Sequence, residues 1–559
     1  MLIYPFNLVF QPKSFSSSAF LFLQLFSAVI GVCVREDKRL DMFSMKFSKN
    51  LYKKYIICES SIFIFLLTLF IAFVKNIYES VGPMYEDIFF KLIEQSSTYS
   101  ENYGVFITYI KKYLLSNFIS SLLFAIVYYK LSLKTFMFRK TIFKVKLNFK
   151  HLPLIYLLPS IYLFSQIFIP LPAVDQNSLF FKNAVIANSK PLTFPENKKN
   201  IIVITAESMD STFYSLKNGG ITPENLVPFF EELALNPNYT HFSHQKKPLL
   251  GGMKTTSRSC HTMGSAMGAV CGIPFMGENE VKGRTTGYMK ELTCIGELLV
   301  QGGYTTSSTF GCPFNDWGIG YVFKYHDFQR INTNNDMVGQ KERRFWINDY
   351  ASFEYFKNEV TQLSKGDKPF FAFFATLDAH EPGFICPYCP QDKYPHRIWR
   401  SVKCTDNNLK KFMMWAKEQP WYKNTVIVIY GDHVSRSDYA LYASSTQNYE
   451  RGAFNVFINS ELKSNNTFER NFSVYDMFPT ILASAGIKIK GDKLGIGVNM
   501  FSDEKTHIEQ YSQQEFEDSF NDATYWFDTA ILNKPAQCDG FAPCISAEKI
   551  DVFVNVTIV

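Results

Sequence analysis

The chain has 559 residues, of which 47% are hydrophobic and 16% aromatic, while charged residues make up only 19%. That is too long for one ordinary domain, and the apolar residues concentrate early while the charges come late, a distribution that fits membrane segments joined to a soluble part. The net charge of +6 does not argue for a nucleic-acid partner, because fourteen Lys and Arg lie in two short segments near the N-terminus and account for the excess.

Four apolar segments, Ser18–Val34, Ile56–Val74, Tyr113–Tyr129 and Leu152–Val174, approach the length a bilayer requires. The first lacks a basic leader and a small-x-small cleavage site, so it reads as a span rather than a signal peptide. The segments Arg35–Tyr55 and Lys130–His151 carry seven basic residues each, against three acids and none. Both therefore belong in the cytoplasm, which puts everything after Val174 outside. The expected organisation is a bundle of about four transmembrane helices over 1–174, a linker over 175–199, a catalytic domain over 200–501 and a flanking subdomain over 502–559. Nine of the eleven Cys follow Val174, and an oxidising compartment makes disulfides the expected state. Cys538 and Cys544 would close a small loop, and Cys404 is a partner for Cys386 or Cys389. The Cys386–Cys389 spacing also fits half of a zinc site, but no second pair at zinc-ribbon spacing follows.

From Asn200 onward, strand-like runs at Ile201–Thr205, Tyr304–Thr309, Pro369–Thr376, Thr425–Tyr430 and Phe454–Asn459 alternate with helical stretches such as Asn407–Glu418 and Ser473–Ala485. Alternation of this kind predicts an α/β fold with a mostly parallel sheet and helices on both faces. Such sheets bind ligands at the carboxyl ends of their strands. Four features fall at such ends or at a helix start. The first strand runs into Glu207, and the run Thr425–Tyr430 ends in Gly431-Asp432-His433. Between them a helix begins near Thr262, whose hydroxyl becomes a nucleophile if a metal lowers its pKa. A further strand end carries Asp378-Ala379-His380-Glu381-Pro382. Three of the four have a plainer alternative in isolation: Asp432 and Thr262 as helix caps, and His380 as a side chain bonded to a loop carbonyl.

Together these signatures resemble the alkaline phosphatase/sulfatase superfamily, in the branch of membrane-anchored phosphoglycerol and phosphoethanolamine transferases that includes lipoteichoic acid synthase. The resemblance is carried by Ala206-Glu207-Ser208, by Thr262 ahead of Cys271-Gly272-Ile273-Pro274, and by Leu377-Asp378-Ala379-His380-Glu381-Pro382. It continues in Cys404-Thr405-Asp406, in the Asp432-His433 strand end, in Asp476-Met477-Phe478-Pro479-Thr480, and in Leu494-Gly495-Ile496-Gly497 with Phe501. The chain is similar in particular to phosphoglycerol transferase I-like proteins of Gram-negative bacteria. It implies that Glu207, Thr262, Asp432 and His433 hold one divalent cation, with Thr262 also the nucleophile and His380 a ligand of the substrate phosphate. Trp346, with Asp349, resembles a substrate-side motif, and His261 stands where relatives carry Trp. Oxygen-rich ligation with one His favours Mn²⁺, with Mg²⁺ and Zn²⁺ also compatible. The implied activity is transfer of phosphoglycerol from phosphatidylglycerol to a periplasmic or surface glycan, by a multi-pass protein of the bacterial inner membrane whose catalytic domain faces the periplasm. The alternative is a phosphoethanolamine transferase that draws on phosphatidylethanolamine; less favoured are a phosphohydrolase and a non-catalytic membrane-tethered sensor. Sulfatase chemistry would need a Cys or Ser in a C/S-x-P-x-R context, which does not occur.

Overall fold

In the computed structural model, residues 178–187, 192–275, 289–337, 346–389, 394–447 and 449–531 are described. The four expected spans, together with Cys538 and Cys544, lie outside them. No helix among the described residues is long and apolar enough to cross a membrane.

Six strands form one sheet: β1 (Asn200–Ala206), β2 (Thr305–Phe310), β3 (Arg330–Asn332), β4 (Phe370–Ala375), β5 (Thr425–Gly431) and β6 (Asn455–Ile458), in the order β3-β2-β4-β1-β5-β6. The first five are parallel to their neighbours, and β6 runs antiparallel at the edge of β5. The central strands are Ile-, Val- and Phe-rich because both of their faces are covered. Side-chain alternation splits them between two cores. Ile201, Val203, Phe371, Phe373, Val426 and Val428 pack on one face, and Ile202, Ile204, Ala372, Phe374, Ile427 and Ile429 on the other.

Helix α1 (Pro228–Leu235), helix α4 (Asp349–Leu363) and helix α5 (Arg397–Lys417) cover the second face through Phe230, Phe353, Phe356, Val402, Leu409 and Phe412. Helix α2 (Thr262–Cys271), helix α3 (Ile295–Gln301) and helix α6 (Met477–Ser484) cover the first. After Phe501 the chain returns to that first core through Phe516, Phe520, Trp526 and Phe527, with Phe180 against Trp526.

The strand runs expected from sequence coincide with observed strands to within a residue at each end. Helix α5 starts at Arg397, well before the expected Asn407, because Ile398, Trp399 and Val402 extend its buried stripe into the stretch of Arg400 and Lys403. Asp406, inside α5, reaches across to α1 and accepts from the backbone N–H groups of Phe229 and Phe230 at 2.9 and 3.1 Å. Those are first-turn amides that have no partner within their own helix.

Candidate active site

The register of the sheet sets the site. Ala206, the last residue of β1, pairs with Gly431, the last of β5. The next residues, Glu207 and Asp432, therefore leave the sheet side by side. Gly431 is required here because the Met209 carbonyl passes where a Cβ would stand. Ser208 adopts a left-handed backbone, φ 54°, and this turns its N–H onto Asp432 Oδ1 at 2.8 Å. The His433 N–H donates to the same oxygen at 2.8 Å.

Helix α2 brings Thr262. Its N-cap is His261, whose Nδ1 accepts from the Gly264 N–H at 3.1 Å. Thr262 is thus the first helical residue rather than the cap, and its hydroxyl is free to donate to Glu207 Oε2 at 3.0 Å. Capping, the plainer reading of Thr262, is work done by His261.

Glu207, Asp432 and His433 offer ligand atoms that all lie within 4.8 Å of one another. The His433 Nδ1–H donates to the Val434 carbonyl at 3.1 Å, which fixes the tautomer and leaves the Nε2 lone pair facing the carboxylates. Nε2 lies 3.4 Å from both Glu207 Oε1 and Asp432 Oδ2. Buried Asp432 Oδ2 and His433 Nε2 have no hydrogen-bond partner among the described residues. Burial and the adjacent Asp432 push the Glu207 carboxyl up to about 7. Burial raises Asp432 to about 6 and lowers His433 below its ordinary value. Two desolvated carboxylates and an unprotonated imidazole nitrogen converging on one point are costly without a counter-charge. A divalent cation fits them, with Thr262 Oγ1 alongside.

The His380 loop forms the opposite wall. The Leu377 and Asp378 N–H groups donate to Asp349 Oδ1 at 2.7 and 3.2 Å, so Asp349 clamps the loop from the start of α4. His380 donates from Nδ1 to the Glu381 carbonyl at 3.0 Å. Glu207, His380 and Glu381 also carry polar atoms within 4.8 Å of one another. Trp346 stands edge-on to His380, centroids 5.5 Å apart, and its Nε1–H donates to Asp316 Oδ2 at 2.6 Å. All of Glu207, Thr262, His380, Asp432, His433 and Trp346 are therefore gathered at one sheet edge. Two further residues belong to the site and were assigned no role from sequence: Ser208 and Glu381. The Ser208 hydroxyl lies 3.0 Å from Glu207 Oε1 and 3.3 Å from Glu381 Oε1. Glu381 Oε1 also accepts from the Arg436 backbone N–H at 2.5 Å, across 55 residues of sequence.

Of the candidate disulfide cysteines, Cys389 pairs with Cys404, which ties the loop after His380 to α5. Cys386 Sγ lies 3.2 Å from Cys389 Sγ, outside that disulfide. A second disulfide, Cys271–Cys294, which sequence reading left unpaired, joins the C-terminal end of α2 to the N-cap of α3.

Comparison with known proteins gives the following. Phosphoglycerol transferase I of Escherichia coli O6:K15:H31 is 26% identical over 262 residues, covering 44% of this chain and 32% of that protein. The chain thus spans about a third of the length of the curated relatives it matches. An alkaline phosphatase superfamily protein from Vibrio parahaemolyticus superposes with a TM-score of 0.46 at 17% identity, covering 64% of this chain and 94% of that one. A lipoteichoic acid synthase from Listeria monocytogenes gives 0.46 at 14% identity, covering 62% and 98%. The sulfatase family model matches residues 199–487. That segment is more than half of the chain and holds every residue of the site just described, and the chain belongs to the sulfatase family.

Proposed function

We propose that the chain transfers a phosphoglycerol headgroup from phosphatidylglycerol to a glycan hydroxyl through a phosphothreonine intermediate at Thr262. The observation that carries this reading is the Thr262 hydroxyl, 3.0 Å from Glu207 at the first turn of a helix, beside the unpartnered Asp432 Oδ2 and His433 Nε2. Glu207, Asp432, His433 and Thr262 would hold one divalent cation. When bound, that cation lowers the pKa of a coordinated hydroxyl and offsets charge on the phosphoryl oxygens.

The residues of the chain account for the rest. The Thr262 proton points at Glu207 Oε2. In the first step Thr262 Oγ1 bonds to phosphorus, the bond from phosphorus to the diacylglycerol oxygen breaks, and that oxygen takes up a proton. In the second step an acceptor hydroxyl bonds to phosphorus, the Thr262 ester breaks, and the acceptor's proton returns to Thr262. The α2 start presents N–H groups and a positive dipole end to the anion. His380, oriented by its bond to the Glu381 carbonyl, is placed to donate from Nε2 to a phosphate oxygen when protonated. A donor held in lipid gives the expected membrane anchor a purpose. The curated relatives named phosphoglycerol transferase I favour this headgroup over ethanolamine.

The test is incubation with labelled phosphatidylglycerol and phosphatidylethanolamine, followed by mass spectrometry of the Thr262 peptide. A phosphoglycerol adduct on Thr262 is expected, and Thr262→Ala should abolish both adduct and transfer while still folding. A phosphoethanolamine adduct would move the assignment to the alternative donor. Full transfer by Thr262→Ala would eliminate the covalent scheme.

A further inference from the structure

Helix α5 begins beside the site and runs away from it. The Phe384 N–H donates to Ser401 Oγ at 3.3 Å, and the Cys389–Cys404 disulfide ties the same loop to the helix. Arg397 Cζ lies 5.6 Å from the centroid of Phe384, whose ring stands 6.4 Å from Trp346 and so joins the wall that holds His380. At 21 residues the helix is about 30 Å long. One side of it is buried against the sheet, and the other is cationic. Arg397, Arg400, Lys403, Lys410, Met414 and Lys417 recur at steps of three, four and seven residues, with Lys411 beside them. Arg397, Lys410, Lys411, Met414 and Lys417 are exposed to solvent. The single acid of the helix, Asp406, is buried, turned to the α1 amides, and 3.6 Å from Lys403. On the flanking helices α4 and α1, Glu354 pairs with Lys357 at 2.6 Å and Glu232 is exposed. The outward face of α5 itself carries bases and no acid.

Helix stability does not account for this pattern. The N-terminus of a helix is the positive end of its dipole and favours acids. The first turn of α5 instead holds Arg397 and Arg400 with no acid, and His396 at the N-cap makes no side-chain capping bond. Arg397, Arg400 and Lys403 follow one another at i, i+3, a spacing at which like charges repel. A face that only solvates a helix mixes its signs and gains from Glu–Lys pairs. A face of one sign suits an anionic partner.

The residues beside the bases narrow the class of that partner. Exposed Tyr388 stacks on Tyr350 with ring centroids 4.1 Å apart, and Lys411 Nζ lies 5.5 Å from the Tyr350 centroid. Long basic side chains beside an exposed tyrosine and an exposed methionine suit lipid headgroups, where the charges meet phosphates and the apolar parts enter the interface. We propose that the outward face of α5 rests on anionic lipid headgroups and so holds the His380 wall at the surface that supplies the donor. The assignment rests on the phosphotransfer reading, whose lipid donor gives the site a reason to lie against a membrane.

The test places the full chain in nanodiscs of phosphatidylcholine alone, or of phosphatidylcholine with about a third phosphatidylserine, an anionic lipid that is not the proposed donor. Lysines are labelled with a water-soluble acetylating reagent and read by mass spectrometry. Labelling of Lys410, Lys411 and Lys417 should fall about 5-fold in the anionic discs, the scale of one basic residue held at such a surface, and should recover in about 1 M salt. Exposed Lys490, whose neighbours Ile487 and Ile489 pack into the core on the far face of the sheet, should label equally in both. Equal labelling of the α5 lysines in the two discs would overturn the proposal. So would protection that a soluble anionic glycan confers and the discs do not. A Lys410→Glu, Lys417→Glu double variant should need a roughly 10-fold higher fraction of phosphatidylglycerol for half-maximal diacylglycerol release, and an unchanged requirement would count against the docking face while leaving the phosphotransfer reading intact. Absence of diacylglycerol release by the wild type would instead remove that reading, and the labelling would still decide what α5 rests on.

Discussion

At the scale of single residues, the site is held together by groups that are individually unfavourable. Ser208 sits at φ 54°, a left-handed conformation that costs a non-glycine residue on the order of 1 kcal/mol or more. In return its amide and hydroxyl reach Asp432, Glu207 and Glu381. Asp432 is itself desolvated, with one oxygen unpartnered. Replacing it with Asn should therefore separate binding from stability. Asp432→Asn should weaken Mn²⁺ binding by about 100-fold or more, at least the scale of losing a residue that merely supports a ligand. In chelator, its melting temperature should equal or exceed that of wild type, because a buried charge has gone. Calorimetric titration and thermal melts read the two effects. A drop in both would show that Asp432 is needed for the fold as well as for the cation.

At the scale of elements, helix α2 depends on how close its first turn can come to the segment before it. A Cβ on Gly264 would collide with the Arg258 carbonyl, which is backbone and cannot swing away. Gly264→Ala should cost about 1–3 kcal/mol in chemical denaturation, the usual scale of overpacking. It should also lower turnover by displacing Thr262, and wild-type activity in that variant would count against the close approach. Elements of this kind were unevenly legible in the sequence. Strands β1, β4 and β5 stood out because burial on both faces makes them continuous apolar runs, and Glu207, His380, Asp432 and His433 could be read off their ends. The start of α5 was missed because its first turns carry Arg397, Arg400 and Lys403 among Ile398, Trp399 and Val402, a mixed pattern that follows a stretch containing Pro390 and Pro395. Strand β3 is three residues long, too short for any periodicity to show. The role of Glu381 was illegible for a different reason. What gives it meaning is the turn after Asp432, whose backbone amides Glu381 and Asp210 hold from 55 and 225 residues away along the chain.

At the scale of the whole molecule, two disulfides among the described residues and a set of buried carboxyls bear on how stability responds to conditions. Asp476 accepts from the Ser473 and Val498 N–H groups, both at 2.8 Å, yet burial raises it from 3.8 to about 7. A carboxyl whose folded pKa lies above its unfolded one adds stability below the unfolded value, and loses it as pH rises through the folded one. The unfolding free energy should accordingly decline between pH 3.8 and about 7, and Asp476→Asn should flatten that decline. Melts of both proteins at about pH 5 and about pH 8 compare the slopes, and identical slopes would remove Asp476 as the cause. The pairing of Ala206 with Gly431 reaches further than catalysis. A slip of one residue between β1 and β5 would turn one of the two following side chains to the opposite face of the sheet. Glu207 and Asp432 could then no longer converge, although both cores would still be apolar. A cation held there would thus act as a proofreading device for strand assembly: only a correctly aligned sheet could capture the ion, and capture would remove that sheet from the pool of misaligned folds.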